Sequence, residues 1–598
     1  MGAIAVYLSR SGSADPEVAE RMLGAAPHRG RCIEVEELGG ALLGVVNTPD
    51  WRTATLARDG TRVAVFGGTL DNVDDLRAEL AREVDPRRLA TPAALLLAAF
   101  ARWGNGAVAR LRGSFTGALT DGVSVTCFRD QFGTRPLVYH DGPSGFYAGT
   151  EVKQVLAGAP ISREPDLEHL YAILFGGLEW RTSYRGVGCI PQAAITTVGS
   201  RPGVERTTYW DPAVHVETSS LGPAEAVEGT LDALDRAVRR VLTGQDAILL
   251  SGGLDSPALA AFAAEARGPR RHIEAVTSIY PDQPTADEHE WTEMAASHLG
   301  LPLHPYVAEA GSMDDVEHWV GLLDGPVAVF SIPESAEAYE AARSVGARTV
   351  LTGELAEFLF ENRHYLLGHL LSHGRLRAAM RVVAGLRRRG MTYRRIAGHV
   401  VEELAPTSLM EGYRRLRGGE PRPNHRTVPP WVDESEIPPR PTLESTSDLG
   451  PRRRWRFSQT SPFRGRSIGF EADEICAAAC GVEARRPFAD VDLWEFVLSL
   501  PAEVKFPDES SKPLLRKAMR GVLPDALIDR KDKTYFDEFH LATADYPTLK
   551  RLLVGSPHAL SGIRYEHLGE RLESGDMGIY ELQWARNVAR VHAFLDQW

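Results

Sequence analysis

The segment Ala247–Phe262 reads AILLSGGLDSPALAAF. An apolar run ends in Ser251-Gly252-Gly253, and Asp255-Ser256 then opens an Ala-rich helix. Glycines let a backbone turn tightly and approach a ligand, and the free amides of a helix start attract phosphate. The spacing is neither the G-x-x-x-x-G-K-[ST] of P-loop nucleotidases nor the G-x-G-x-x-G of dinucleotide binders, so neither chemistry is implied. A ligand-free strand–turn–helix corner, capped by Asp or Ser, is the plain alternative.

The pattern S-G-G-x-D-S after an apolar strand resembles the pyrophosphatase loop of N-type ATP enzymes, which transfer AMP to a substrate and release pyrophosphate. That resemblance implies ATP as the nucleotide. Pyrophosphate release calls for Mg²⁺, which prefers one or two carboxylates together with phosphate oxygens, and Asp255 is the first candidate ligand.

The elements around this loop alternate between helix and strand from about Ala224: a helix to Leu242, strand AILLS, helix SPALAAFAAEA, strand IEAVTSI and helix DEHEWTEMAASHLG. Such alternation predicts a parallel sheet with ligands at the carboxyl ends of its strands. The preceding segment is different, with short apolar runs such as AIAVYL, RVAVFGG, VSVTCF and AAITTV between Gly, Asp and Pro. These predict layered sheets, with helices near Val73–Val84 and Pro92–Trp103. A boundary at about 210–220 divides the chain into residues 1–212 and 213–598.

The 598 residues carry a net charge of −13, 43% hydrophobic residues and five cysteines. This is a globular, multidomain composition that argues against an extended nucleic-acid surface. An odd, sparse cysteine set suits a reducing cytoplasm. Cys476 and Cys480 lie one helical turn apart without a second pair of ligands, and are expected to be buried thiols. Neither a signal peptide nor a membrane-spanning run is recognisable.

Further motifs follow in order: LRGSFTGALTD, RDQFGTRPLVYH, FYAGTEVKQVL, YRGVGCIP and YWDP, then VLTGELAE, GVEARRPFAD and KPLLRKAMRGVLP…RKDKTYF. Together they resemble the asparagine synthetase B-like superfamily. The resemblance implies an α+β class II glutamine amidotransferase-like (Ntn-type) sandwich followed by an α/β ATP-pyrophosphatase synthetase domain. In glutamine-using members a cysteine follows the initiator Met and attacks glutamine, but here position 2 is Gly2. The amide expected at the oxyanion site is absent at Gly67, and Ala94 stands where an Asp would bind the glutamine amine. The first domain is therefore expected to keep its fold without glutaminase chemistry, and the nucleophile to be free ammonia or an amine already on the substrate.

In the second domain the resemblance assigns Ser251, Gly252, Gly253, Asp255 and Ser256 to pyrophosphate, and backbone at Leu250, Val276 and Gly353 to adenine and ribose. Glu357 falls at the second metal position beside Asp255, with Leu355-Ala356 in place of the family's Gly-Ser. Glu354 stands where asparagine synthetases carry an active-site Glu and β-lactam synthetases a Tyr, and a carboxylate there would take a proton from the attacking amine or orient it. Glu471 and Glu474 are the candidates for a further acidic partner. Lys533, or its neighbour Lys531, resembles the lysine that steadies negative charge on the adenylate. Glu483, Arg485 and Asp490 read as an internal ion-pair brace.

Between Glu357 and Glu483 lies a long, mostly helical, basic insert at about 365–470, including a Pro-rich loop at 421–441. A solvated helix face accounts equally well for its arginines. Missing glutaminase residues, a retained adenylating loop and this insert together resemble the lasso peptide cyclases. That resemblance implies a leader-free core peptide as substrate, with a leader-binding protein and a leader peptidase as partners. An Asp or Glu side chain would be adenylated and attacked by the peptide's N-terminal amine. The rival expectations are a β-lactam synthetase acting on a small molecule and a catalytically impaired scaffold.

Overall fold

The computed structural model describes residues 1–597 apart from 177–179, 267, 269–271, 328–330, 406–427, 439–448 and 532–533. In the N-terminal half the strands are β1 (Ala3–Ser9), β2 (Cys32–Leu38), β3 (Ala41–Asn47), β4 (Ala54–Arg58), β5 (Val63–Leu70) and β6 (Gly113–Thr120). They continue with β7 (Val125–Arg129), β8 (Val138–Gly142), β9 (Gly145–Gly149), β10 (Gly188–Cys189), β11 (Ala194–Val198) and β12 (Glu205–Thr208). Two antiparallel sheets result, ordered β10-β8-β9-β1-β3-β2 and β12-β11-β7-β6-β5-β4.

Strand alternation explains the layering. Ile4, Val6 and Leu8 of β1 pack with Val63 and Val65 of β5 between the sheets. Ala3, Ala5 and Tyr7 point the other way, into a core shared with the second half of the chain. The helix Pro92–Trp103 covers the outer face of the second sheet through Leu96 and Phe100.

The C-terminal half is built on β13 (Gln245–Leu249), β14 (His272–Ile279), β15 (Leu303–Val307), β16 (Thr349–Leu351) and β17 (Glu483–Arg485). All neighbours are parallel, in the order β15-β14-β13-β16-β17. The chain winds outward from β13 to β15, then returns to β16 on the other side of β13. That reversal is a topological switch point, and it leaves a crevice beyond the carboxyl ends of β13 and β16. The segments 251–256 and 352–357 both emerge there.

The insert contributes the helices Leu366–Ser372, Leu376–Arg388, Tyr393–Leu404 and Pro451–Gln459. Residues 421–427 and 439–441 of the Pro-rich loop lie outside the described residues. Cys476 and Cys480 are buried free thiols. Among the described residues no helix is long and apolar enough to cross a membrane.

Candidate functional site

The loop after β13 is folded by its own hydroxyls. The Ser251 amide donates to Ser256 Oγ at 2.9 Å, and the two hydroxyls lie 3.0 Å apart. The Leu250 amide donates to the Val276 carbonyl at 2.8 Å, tying the end of β13 to the middle of β14. A Cβ at Gly252 would stand 2.9 Å from the Cβ of both Glu288 and Trp291, so glycine is required. The Gly252 amide donates to Glu288 Oε2 at 2.9 Å, and its carbonyl accepts from Arg530 Nη1 at 2.6 Å. Arg530 also reaches Glu288 Oε1 at 2.8 Å. With the Gly252 amide held by a carboxylate and the Gly253 amide 3.4 Å from Ser251 Oγ, a phosphate at this corner would have to meet exposed Gly253 and the amides that open the helix Asp255–Glu265.

Asp255 fits a metal-bound pyrophosphate. One oxygen, Oδ1, is buried without a hydrogen-bond partner, while Oδ2 accepts from Lys512 Nζ. Burial raises the Asp255 carboxyl above its usual range against the pull of Lys512, with Glu357 and Glu361 adding to the rise. A cation entering this acidic neighbourhood would relieve it. Gly353 packs on the same spot, where a Cβ would sit 3.3 Å from Asp255 Cβ. Among the described residues no group of three or more His, Cys, Asp or Glu is placed to hold a metal ion by itself. Glu357 is exposed at the start of the helix Ala356–Phe360. Leu355, which immediately precedes that helix, is buried with φ +77°, a left-handed conformation that favours glycine.

Glu354 belongs to a second polar group, beyond β16. Arg486, which follows β17, donates through Nε to Glu354 Oε2 at 2.5 Å and through Nη2 to Asp473. Tyr339 Oη lies 2.7 Å from both Asp473 oxygens. Burial pushes the Asp473 carboxyl up to about 6; Arg486 opposes the rise and Glu354 adds to it. One guanidinium thus holds two carboxylates, only one of which, Glu354, is partly exposed.

The structure does not bring Glu471 or Glu474 to this group, a correction to the sequence reading. Both lie on the helix Ile468–Ala479, three residues apart, on a face turned toward the N-terminal half. Glu474 receives both Arg29 amino groups at 2.7 Å. Glu471 accepts from Arg129 at 2.9 Å and from Arg466 at 2.7 and 2.9 Å. Burial alone would raise these carboxyls, but Arg29 and Arg135 for Glu474, and Arg466 and Arg129 for Glu471, hold both below their usual range. Asp473, between them in sequence, is on the other face. Lys533 lies outside the described residues, and Lys531 is exposed.

The pocket at Gly2 is filled. The Gly2 amide donates to Thr53 Oγ1 at 2.7 Å. A Cβ at Gly2 would overlap Asn47 Oδ1 and come within 2.6 Å of the Val46 carbonyl oxygen and 2.8 Å of Ala54 Cβ. Asn47 cannot swing away cheaply, because its oxygen accepts from the Thr53 and Ala54 amides at 3.1 and 2.9 Å. At Gly67 a Cβ would meet Ile4 Cγ2 at 3.0 Å, and at Gly68 it would press on Arg135 Nε at 2.7 Å.

Comparison with known proteins agrees with this two-part construction. Residues 229–594, more than half of the chain, match the family model of asparagine synthase, and residues 1–210 match that of the glutamine amidotransferase domain. The chain belongs to the asparagine synthase family. This synthase-family chain is 27% identical over 507 residues to asparagine synthetase [glutamine-hydrolyzing] 3 of Bacillus subtilis, covering 80% of this chain and 76% of that protein. It is also 27% identical over 502 residues to a putative asparagine synthetase [glutamine-hydrolyzing] of Mycobacterium tuberculosis, covering 78% and 74%. A Bacillus subtilis glutamine phosphoribosylpyrophosphate amidotransferase with ADP and GMP superposes at a TM-score of 0.27 and 10% identity, over 59% of this chain and 81% of that one. Family membership makes this an asparagine synthetase-like, ATP-dependent amide ligase by fold and motif.

Sequence reading missed Lys512, Arg530, Arg486, Asp473 and Tyr339. Lys512 had a local signal, since it opens the motif KPLLRKAMRGVLP immediately before the proline that starts the helix Pro513–Ala518. Arg486 adjoins a brace residue, Arg485, whose guanidinium turns instead to Asp71. No local pattern marks Tyr339, which meets Asp473 across 134 residues of sequence.

Proposed function

We propose that this protein is a peptide macrolactam synthetase of the lasso cyclase type. It would adenylate an Asp or Glu side chain of a leader-free core peptide and join it to the peptide's own N-terminal amine. The observation that carries this reading is the packing at Gly2. The relatives are named glutamine-hydrolyzing, whereas here the atoms around position 2 leave no room even for a Cβ. An amide ligase without a glutamine site takes its nitrogen from elsewhere, and an amine on the substrate meets that need. The helical insert supplies additional surface beside the crevice, and holding a peptide in one shape costs about 1–2 kcal/mol per ordered residue. A leader-binding protein and a leader peptidase are the partners this reading calls for.

In the first step the substrate carboxylate attacks the α-phosphorus of ATP, forming the acyl-adenylate as the bond to pyrophosphate breaks. The loop 251–256 and the helix start receive the leaving charge, and Lys512 and Arg530 lie beside them. Mg²⁺, held by Asp255 with Glu357 in reach, would neutralise charge on the departing oxygens. In the second step the amine attacks the acyl carbon and AMP leaves. Glu354 accepts the amine's proton, and Arg486, anchored on Asp473 and Tyr339, fixes where that carboxylate points. Arg486, Asp473 and Tyr339 are positioning residues.

The test is mass spectrometry of the enzyme with Mg²⁺, ATP and leader-free peptides bearing an N-terminal Gly and an internal Asp or Glu. The reading expects loss of one water from the peptide, with one AMP and one pyrophosphate per ring. Asparagine formed from aspartate and ammonium, with every peptide unchanged, would refute it.

A further inference from the structure

The insert carries a surface that the ligase chemistry does not use. From Asn362 to Val401 the sequence contains nine arginines and neither Asp nor Glu, in a chain of net charge −13. Three of its helices enclose a groove of about 580 Å³, lined by Leu367, Leu371, Leu376, Met380, Val383 and Tyr393. Leu376, Met380 and Tyr393 are 60, 63 and 68% exposed, so three large apolar side chains meet solvent along one groove.

Helical geometry orders the residues around this groove. On the helix Leu376–Arg388, Ala378, Ala379, Val382 and Gly385 face inward, while Leu376, Met380 and Val383 form an outward apolar stripe. Arg377, Arg381 and Arg388, at i, i+4 and i+11, run along one flank of that stripe. All three are exposed, and among the described residues none has an acidic partner within salt-bridge distance, unlike Arg375, which pairs with Glu217 and Glu503. Arg387 is held over the Tyr393 ring at 4.4 Å and closes one end.

A concave apolar stripe with a cationic flank fits one class of occupant. The geometry points to an acidic amphipathic helix of a partner protein, its apolar side chains in the groove and its carboxylates against Arg377, Arg381 and Arg388. A lipid surface would be met better by a convex apolar face, and a nucleic acid would have no use for Leu376 and Met380. The surface is distinct from the ligase crevice but backs onto it. Gly385, on the inward face, packs against Glu509, where a Cβ would overlap the Glu509 side chain. The same segment leads to Lys512, which holds Asp255.

The full chain is titrated, by fluorescence anisotropy, into a labelled amphipathic helix with leucines at helical spacing and glutamates along the arginine-facing flank. A second peptide carries Gln for every Glu, and vesicles containing phosphatidylglycerol and a single-stranded RNA serve as competitors. The expected result is saturable binding of the Glu peptide, at least about tenfold tighter than the Gln peptide and weakening as salt rises. Both Met380→Glu and the pair Arg377→Glu/Arg381→Glu should weaken it about tenfold or more, with circular dichroism and unfolding midpoint unchanged because these side chains are exposed. Equal binding of the two peptides, or none, overturns the inference. So does a Met380→Glu variant that binds as the parent does, or competition by vesicles or RNA that matches the unlabelled peptide.

Discussion

Two glycine-lined places in this molecule have opposite fates. At Gly2 and Gly68 the missing side chain lets neighbouring backbone and side chains close in, so that a Cβ would overlap Asn47 or press on Arg135. At Gly253 the same economy of atoms leaves backbone open at the mouth of a crevice, where a Cβ would meet only Ser251 Oγ at 3.5 Å, near a buried Asp255 oxygen that lacks a partner. Glycine therefore does not mark a ligand site by itself. What surrounds the absent Cβ decides whether backbone meets backbone or backbone meets ligand.

The seam between these places sharpens the contrast. Arg29 and Arg135 from the N-terminal half reach the buried Glu474, and Arg129 reaches Glu471. Buried ion pairs contribute little net stability but tolerate the loss of one partner badly. The N-terminal half thus acts as a rigid support for the helix Ile468–Ala479, which carries Asp473 to Arg486 on its other face.

The largest expected effect is at the open crevice. Asp255→Ala should lower AMP formation by about 10³-fold or more, since it removes the carboxylate proposed to hold Mg²⁺. Parent-like AMP release in chromatography of the quenched reaction would put the adenylating site elsewhere.

Glu354→Gln should lower kcat by about 10²–10³-fold in the ring-closing step while leaving ATP–pyrophosphate exchange near the parent rate. Asp473→Asn should have a smaller effect on kcat and a distinctive one on its pH profile. Below about 6 Asp473 is protonated, and Arg486 is left to Glu354 alone, so the guanidinium draws that carboxylate away from the amine. Activity should therefore fall as pH drops through about 6, and Asp473→Asn should flatten that limb. The sign separates this from acid unfolding. A carboxyl whose folded pKa is raised favours the folded state at low pH and loses that contribution as pH rises through about 6.

Glu474→Gln should leave two arginines facing a neutral amide and cost about 3–5 kcal/mol in denaturant unfolding. If the cost is near zero, the seam is not the support described above. Gly2→Cys should yield no glutamate from glutamine and should destabilise the chain by about 1–3 kcal/mol, because the added atoms overfill a packed site. Glutamate release by this variant would show that the pocket can reopen.

The parallel sheet, the strand–turn–helix corner at 251–256 and the absence of a side chain at Gly2 were legible in the sequence because each is local. AILLSGG announces a buried strand end, and an absent side chain needs no geometry to be noticed. The partners of Glu354 were not legible. Glu471, Asp473 and Glu474 are all acidic and buried on one helix, and a shift of one or two positions decides whether a carboxylate faces the domain seam or Arg486. Spacing along a helix fixes relative faces, while the absolute orientation is set by packing against Arg29 and Tyr339, which lie far away in sequence.

The account rests most directly on the source of the nitrogen. The decisive reaction contains the full chain, Mg²⁺, ATP, a leader-free peptide that it cyclises, and glutamine labelled in its amide nitrogen. The account predicts a peptide lighter by one water, matched by AMP, with no label in any product and no glutamate released. Label in an amide product, or glutamate formed in step with AMP, would contradict it.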